Sequence, residues 1–227
     1  MGKITILSDS SAAFRGREEA GRLLGNALRH LGGGSAVVVL GIPRGGVVIG
    51  KEVAAILESD LDIALSRKLG APRNSELAIG AISETNRIFL DKNIAAQTGA
   101  DETYIKAEAG RQLSEIRRRS GIFRKALPKT ILNDKTVIIV DDGLATGATM
   151  QASLWAVREE APARLIAGIP VASAEAVNRI AGSCDEVVCL RVPPFFGAVG
   201  EFYVNFEQTT DEAVIAILKE EFSRRRQ

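Results

Sequence analysis

The sequence predicts an α/β fold built on a doubly wound, mostly parallel sheet. Short runs rich in Val, Ile and Leu alternate along the chain with amphipathic stretches of helical period, which is typical of a parallel sheet covered by helices on both faces. Two of these runs, 36–41 and 136–140, lead into Gly-containing turns and then into helical patterns. The 227 residues suffice for one domain with a large core.

Hydrophobic period and turn residues predict the individual elements. Strands are predicted at residues 36–41, 61–66, 136–140, 164–171 and 186–190. Helices are predicted at 14–31, 47–58, 101–124, 150–160 and 173–181. Residues 76–82 and 87–90 predict a β-hairpin around a polar turn, and residues 1–13 a short strand or a tail. A last helix begins at the capping box Thr209-x-x-Glu212, with Val214, Ile217, Leu218 and Phe222 buried.

Composition excludes several classes of function. The chain has 29 basic and 28 acidic residues, so a general role on nucleic acid or at a membrane surface has no electrostatic support. No apolar run reaches the roughly 18 residues of a membrane span, and we expect a cytoplasmic protein. His30 is the single histidine, which excludes multi-histidine metal sites, and a surface position is expected. Cys184 and Cys189 are expected to be reduced structural thiols.

Residues 137–149 carry the strongest functional signal. Four β-branched residues run into Asp141 and Asp142, as expected for a strand that is buried on both faces and ends at the functional edge of the sheet. The loop that follows offers uncovered backbone amides and two hydroxyls, and a helix begins behind it. The residues concerned are Gly143, Ala145, Thr146, Gly147, Ala148 and Thr149. Amides suit a phosphate and paired carboxylates suit a diol or a hydrated metal ion, so the stretch predicts a sugar-phosphate site.

A second anion-binding layout follows the strand 36–41. Ile42-Pro43-Arg44-Gly45-Gly46 combines a Gly-rich turn, the donors of Arg44 and the start of a helix. Gly45-x-x-x-x-Gly50-Lys51 also fits the start of a Walker A motif, but Glu52 stands where Ser or Thr belongs. A nucleotide-hydrolysing P-loop is therefore the weaker of the two interpretations.

Further cations and aromatic rings gather at two other places. Arg67 and Lys68 follow the strand 61–66 and are expected in a loop at the same edge of the sheet. Arg117-Arg118-Arg119 is interpreted as a solvated helix face, with anion or subunit binding as the alternative. Five of the eleven aromatic residues lie in 193–208, namely Phe195, Phe196, Phe202, Tyr203 and Phe206. They form either a ligand contact or the small core of this segment.

Residues 137–149 resemble the signature by which type I phosphoribosyltransferases bind 5-phosphoribosyl-1-pyrophosphate (PRPP): a hydrophobic strand, two acidic residues and Thr-Gly-x-Thr. The stretches Pro43-Arg-Gly-Gly46, Arg67-Lys-Leu-Gly-Ala-Pro72 and Glu76-Leu-Ala-Ile-Gly-Ala81 extend the likeness along the chain. The whole chain resembles a group of bacterial and archaeal predicted phosphoribosyltransferases with no settled acceptor. The resemblance implies one domain over 1–227, with a core at about 14–190, a flap at about 68–100, and a hood and last helix at about 191–223.

The resemblance also implies a role for each site residue. Asp141 and Asp142 would act in catalysis and bind the ribose hydroxyls. The 5′-phosphate would lie on Ala145, Thr146, Gly147, Ala148 and Thr149. Pyrophosphate would contact Arg44, Gly45, Gly46, Arg67 and Lys68. Phe196 and Tyr203 would contact a nucleobase. Mg²⁺ would be held through PRPP, with a water bridge to Asp141 or Asp142 as an option, and the protein would form a homodimer.

The acceptor stays open at this point. In enzymes for 6-oxopurines an Asp precedes Thr-Gly and handles a proton of the purine, but Ala145 stands here. The loop is similar to those of adenine-type and uracil-type enzymes, which argues against hypoxanthine or guanine chemistry in its usual form. A nitrogen acceptor, an unidentified nucleobase, is expected. The alternative function is a regulator that binds PRPP without turnover.

Overall fold

The computed structural model describes residues 2–32 and 34–226, with the side chain of Glu76 excepted. The strands are β1 Lys3–Ile6, β2 Val37–Gly41, β3 Asp60–Ile63, β4 Ser66–Ala71, β5 Asn74–Ser83, β6 Ile88–Leu90, β7 Thr136–Val140, β8 Arg164–Val171 and β9 Glu186–Arg191. The helices are α1 Arg17–Leu28, α2 Gly45–Leu57, α3 Lys92–Gln97, α4 Glu102–Phe123, α5 Ala148–Arg158, α6 Ala174–Ile180 and α7 Asp211–Arg224.

Six strands form the main sheet in the order β1-β9-β8-β7-β2-β3. All five pairs of neighbouring strands are parallel, so the predicted doubly wound α/β class is confirmed. The chain runs from β2 outward to β3, and from β7 outward in the opposite direction to β8 and β9. The boundary between β2 and β7 is therefore the switch point, where a sheet of this kind binds its ligands.

The continuous apolar run of β7 is explained by burial on both faces. Val137 and Ile139 pack with Met150 and Leu154 of α5 on one face. Ile138 and Val140 belong to the core on the opposite face, which α1 and α2 cover. All four residues of 137–140 have no exposed surface. Because neither face meets water, the strand lacks the alternation of polar and apolar residues that a half-buried strand has.

A second, antiparallel sheet has the order β4-β5-β6. Its β5–β6 pair confirms the predicted hairpin around residues 83–87. Arg67 and Lys68 were expected in a loop, but both lie within β4 and pair with Ile82 and Ala81. Strand β4 begins with the polar residues Ser66, Arg67 and Lys68, so the hydrophobic period did not predict it. Helix α4 covers this sheet, whose core joins residues of α4 and α7.

The helix ends correct two predicted boundaries. Helix α1 begins at Arg17 rather than at residue 14, because Phe14 is fully buried and forms a bridge with Tyr203. The N-cap of α7 is Thr210, whose side chain accepts from the Ala213 amide, rather than Thr209. Phe222 was expected to be buried but is 36% exposed, whereas Glu221 is buried and accepts from the Leu61 amide at 3.0 Å.

The structure also tests the predictions for the cysteines, for His30 and for membrane-spanning helices. Cys184 and Cys189 are free and buried, and burial raises the pKa of each thiol to about 12, which keeps both protonated and unreactive. His30 is exposed, as expected, with Nδ1 2.9 Å from the Ala27 carbonyl oxygen. No helix among the described residues has the length and apolarity to cross a membrane.

Candidate functional site

The register of the sheet brings the two Gly-containing motifs together. Gly41, the last residue of β2, is paired with Val140, the last residue of β7. The Ile42 amide then donates to the Val140 carbonyl oxygen at 2.9 Å, so the turn after β2 runs directly beside Asp141 and Asp142. The Pro43–Arg44 peptide bond in this turn is cis. The 43–46 turn and the acidic pair are thus one site at the switch point.

The glycines of this turn allow a close approach of backbone to carboxylate. A Cβ atom at Gly45 would lie 2.0 Å from Asp142 Oδ2, and one at Gly46 would lie 2.7 Å from the Val140 carbonyl oxygen. Both distances are shorter than a normal van der Waals contact, so a side chain at either position would force the turn or its neighbours to shift. Glycine at these two positions therefore suits the close packing of the turn against residues 140–142.

Asp141 and Asp142 differ in their surroundings. Burial and the adjacent carboxylate of Asp142 raise the pKa of Asp141 well above its usual range, against the opposing effects of the Asp142 amide and Arg17. That amide donates to Asp141 Oδ1 at 2.9 Å. Asp142 is instead paired with Arg17, whose Nε and Nη2 each lie 2.8 Å from Asp142 Oδ2. One carboxylate is therefore held in an ion pair and its neighbour is easily protonated.

Arg17 is a site residue that the sequence analysis missed. Its side chain is 11% exposed and its Nη1 donates to the Glu207 carbonyl oxygen at 2.8 Å. The guanidinium carbon lies 4.1 Å from the centroid of the Phe206 ring, within the range of a cation–π contact. One signal was available, since a cation in the first turn of a helix opposes the helix dipole and needs another reason to be there.

The aromatic segment packs around the acidic motif. The hydroxyl of Tyr203 donates to the Asp142 carbonyl oxygen at 2.6 Å, and the ring of Tyr203 stacks on Phe206 at 5.0 Å. Tyr203 is 5% exposed, and burial raises its pKa, so the hydroxyl remains a proton donor. Phe196 is half-buried and stacks on Phe202 at 5.1 Å. The predicted base contacts are thus placed in the small core of this segment.

The loop 145–149 is held by hydrogen bonds on one side and exposed to solvent on the other. Gly147 has φ +74° and is the N-cap of α5, a backbone conformation that favours glycine. Ser173 Oγ donates to the Ala145 carbonyl oxygen at 2.8 Å, and Thr146 Oγ1 accepts from the Ala148 amide at 3.4 Å. Ala145, Thr146 and Thr149 are exposed. A helix start that follows an exposed loop of this kind suits an anion.

The predicted cationic residues fall into two places. Arg67 and Lys68 line a cavity of about 380 Å³ together with Pro43 and Thr149, so three predicted binding segments meet around one space. Arg44 points elsewhere, because its Nη1 lies 3.8 Å from Asp211 Oδ1 at the start of α7. The residues Phe196 and Tyr203 do not line this cavity.

The acidic pair Asp141 and Asp142 could hold a Mg²⁺ ion whose other ligands are water and phosphate oxygens. Among the described residues there is no group of three or more His, Cys, Asp or Glu side chains that could hold a metal ion. Mg²⁺ keeps several water ligands and is usually bound by one or two carboxylates together with substrate phosphates. The Asp141 carboxylate has one hydrogen bond from a backbone amide, which leaves lone pairs for a hydrated ion.

The Walker A interpretation conflicts with the geometry of α2. The helix begins at Gly45, so the segment that would wrap a phosphate is already helical, and Val47 and Ile49 are fully buried in it. Lys51 lies in its second turn and pairs with Glu220 at 2.7 Å on the surface. A P-loop needs an open loop with its Lys directed at the phosphates, and this structure has neither.

Comparison with known proteins identifies the family of the chain. The model of the family described as "Phosphoribosyl transferase domain" matches residues 15–207. The crystal structure of TT1426 from Thermus thermophilus has 47% sequence identity and a TM-score of 0.87, over 92% of this chain and 98% of that chain. Two proteins from two Mycobacterium tuberculosis strains, each called "Putative phosphoribosyl transferase", are 42% identical over 205 residues, or 90% of this chain.

The chain belongs to the phosphoribosyl transferase domain family. This confirms the resemblance drawn from residues 137–149 and the fold that it implied. The match covers 46% of each Mycobacterium protein, so the chain spans about half the length of these curated relatives.

Proposed function

We propose that the protein is a Mg²⁺-dependent phosphoribosyltransferase that moves the 5-phosphoribosyl group of PRPP to a nitrogen atom of an acceptor and releases pyrophosphate. The observation that carries this proposal is the meeting of three segments around one cavity, with Pro43, Arg67 and Thr149 in its walls. Asp141 lies beside the same turn, since a Cβ at Gly46 would lie 2.9 Å from its Cα. Family membership supports the same class of reaction.

The two carboxylates are proposed to bind the ribose hydroxyls. Loss of pyrophosphate leaves positive charge on the ribose ring, as in glycoside chemistry, and carboxylates placed in advance stabilise such charge. Asp142 shares its Oδ2 with Arg17, so we assign Oδ1 to the sugar. Asp141 has a raised pKa, and a cation or a hydroxyl donor near it would favour its ionised form.

The leaving group is proposed to bind Arg44, the amides of Gly45 and Gly46, and the pair Arg67 and Lys68. Arg44 now faces Asp211, whose side chain is 42% exposed. Exposed ion pairs contribute little, about 0–1 kcal/mol, so exchanging Asp211 for a diphosphate has a small cost. Bound Mg²⁺ would neutralise part of the diphosphate charge. The 5′-phosphate is assigned to residues 145–149.

The acceptor is proposed to be a nucleobase, with Phe196 and Tyr203 as its ring contacts. Contact by Tyr203 requires movement of Phe206, which stacks on it. Ala145 offers no ionisable group beside the acceptor, so this loop cannot move a proton as the 6-oxopurine enzymes do. We further propose that two copies associate, as the family resemblance implies, and light scattering at several concentrations tests this.

The direct test is incubation with PRPP, Mg²⁺ and a panel of purine and pyrimidine bases, followed by measurement of pyrophosphate release. Release that depends on one base supports the transferase. Tight PRPP binding without release by any base would instead support a regulator that senses PRPP.

A matched pair of variants tests the carboxylate. Asp142→Ala should lower turnover at least about 100-fold, the usual effect of losing an electrostatic stabiliser. Glu159→Gln changes an exposed carboxylate and should leave turnover unchanged. An Asp142→Ala protein with wild-type turnover would remove Asp142 from the proposed mechanism.

A further inference from the structure

The cavity beside the 43–46 turn has a wall that none of the predicted binding segments provides. Helix α4 closes it with Gln112, Ile116 and Arg119. These positions have the spacing i, i+4, i+7, which places them on one face of the helix. Ile116 is 3% exposed and anchors that face in the core of the smaller sheet. The fold thus presents Arg119 to the same space as Arg67.

The three consecutive arginines of α4 are not equivalent. Arg119 is half-buried and lines the cavity, whereas Arg117 and Arg118 are exposed. Arg118 Nη2 lies 3.3 Å from Glu115 Oε2 on the outer face of the helix. The interpretation of this triplet as a solvated face therefore holds for two residues and fails for the third.

Among the described residues, the charged side chains that line the cavity are all cations. The cavity is lined by Arg67, Lys68 and Arg119, and none of the described side chains in its walls is acidic. Arg67 Nε is buried without a hydrogen-bond partner in the part of the chain that the structure describes. Buried N–H groups are normally satisfied, so the Arg67 side chain is expected to rearrange when an acceptor binds beside it.

We propose that Arg119 is a binding residue for the diphosphate group of PRPP, on the α4 wall of the cavity that Pro43 also lines. Its planar guanidinium can donate two parallel hydrogen bonds to phosphate oxygens, as can that of Arg67. Thr149 lines the same cavity from the loop assigned to the 5′-phosphate. This inference rests on the proposed function for the identity of the ligand, but not for the presence of an anion site.

The test is titration calorimetry with Mg²⁺–PRPP and, separately, with Mg²⁺ and inorganic pyrophosphate. Arg119→Gln should weaken the binding of both ligands by roughly 10- to 100-fold, the usual effect of losing hydrogen bonds to a charged group. Arg118→Gln, one residue away on the exposed face, should bind both ligands as the wild type does. The affinity of Arg119→Lys should lie between those of Arg119→Gln and the wild type, because Lys keeps the charge but loses the paired donors of the guanidinium.

The outcomes separate this inference from the proposed function. Arg119→Gln with wild-type affinity for both ligands would overturn the role of Arg119, whatever the wild type does with PRPP. A wild type that binds pyrophosphate but not PRPP would refute the PRPP function, and a loss of pyrophosphate binding in Arg119→Gln would still support the anion site. A wild type that binds neither ligand would overturn both. If Arg119→Gln unfolds, the affinities of Arg119→Lys and Arg118→Lys for the two ligands are compared instead. Weaker binding by Arg119→Lys alone supports the role of Arg119, and equal affinities overturn it.

Discussion

Arg17 and Asp142 are 125 positions apart in the chain, yet two guanidinium nitrogens of Arg17 lie 2.8 Å from one carboxylate oxygen of Asp142. The same guanidinium binds the Glu207 carbonyl oxygen and covers the Phe206 ring. Arg17 thus joins the start of α1, the acidic motif and the aromatic segment at one point. It fixes Asp142 in place and limits which of its oxygens a ligand can reach.

Replacing Arg17 should affect both stability and substrate binding. Arg17→Gln leaves a largely buried carboxylate without its cation, and we expect the free energy of unfolding to fall by about 2 kcal/mol. Because Asp142 and residues 205–207 lose a common anchor, the KM for PRPP should rise. Urea unfolding and initial rates measure the two effects.

The matched control is Arg15→Gln. The Arg15 side chain is 91% exposed and lies 3.9 Å from Glu19, so its loss should change stability by less than about 1 kcal/mol. If the two variants change the free energy of unfolding and the KM equally, the contact of Arg17 with Asp142 contributes no more than an exposed ion pair.

The raised pKa of Asp141 predicts that this residue weakens the fold at neutral pH. Between the pKa of the unfolded chain, about 3.9, and the higher pKa of the folded protein, only the folded state holds the proton. Stability contributed by Asp141 therefore falls as pH rises through this interval and stays low above it. Asp141→Asn should be more stable than the wild type at pH 7, by on the order of 1 kcal/mol, and inactive.

Urea unfolding of Asp141→Asn and wild type at pH 3.5 and pH 7 is the measurement. The advantage of the variant should be present at pH 7 and largely lost at the lower pH, where folded wild type is protonated and unfolded wild type is mostly protonated. An advantage of equal size at both pH values would mean that its origin is not the ionisation of Asp141.

The main sheet and the position of the acidic motif were predictable because both depend on local patterns. The four apolar residues 137–140 indicate a strand buried on both faces, and β7 has the predicted bounds Thr136–Val140. The carboxyl end of a buried parallel strand then locates Asp141 and Asp142 at the edge where ligands bind. The helix predicted at 173–181 is also present as α6, and its first predicted residue, Ser173, is the N-cap and accepts from the Ala176 amide.

What the sequence missed depends on contacts between distant segments. Arg17 is one of 29 basic residues, and only folding places it against Asp142. Helical spacing places Arg119, unlike Arg117 and Arg118, on the face of the buried Ile116, but only the position of α4 over β4 turns that face toward the cavity. Arg67 and Lys68 lie within β4 because this segment pairs with β5. The local sequence has no hydrophobic alternation that would predict the pairing.

Lys51 distinguishes the proposed transferase from a P-loop hydrolase. Lys51→Ala removes a surface pair with Glu220, whose side chain is 65% exposed, so stability should change by less than about 1 kcal/mol. Pyrophosphate release and PRPP binding should equal those of the wild type. ATP hydrolysis by the wild type that disappears in Lys51→Ala would restore the P-loop interpretation.

Gly45 offers the sharpest test of the contact between the 43–46 turn and the acidic pair. The Cβ of Gly45→Ala would lie 2.0 Å from Asp142 Oδ2 and 2.8 Å from Arg17 Nε, so the turn or the carboxylate must shift. A displacement of about 1 Å at a reacting centre can lower the rate about 100-fold, and we expect a loss of kcat/KM of that order. Since Gly45 is the first residue of α2, helix propensity favours Ala there, and most of the effect should be on activity.

The control for Gly45→Ala is Gly110→Ala in the middle of α4. A Cβ at Gly110 meets no atom within 4 Å, and Ala is favoured over Gly in a helix interior by about 0.8–1 kcal/mol. Gly110→Ala should therefore raise the urea midpoint and leave kcat/KM unchanged. If Gly45→Ala is as active as Gly110→Ala, the close packing of the turn against Asp142 is dispensable for the reaction, and the acidic pair must be positioned by Arg17 and Tyr203 alone.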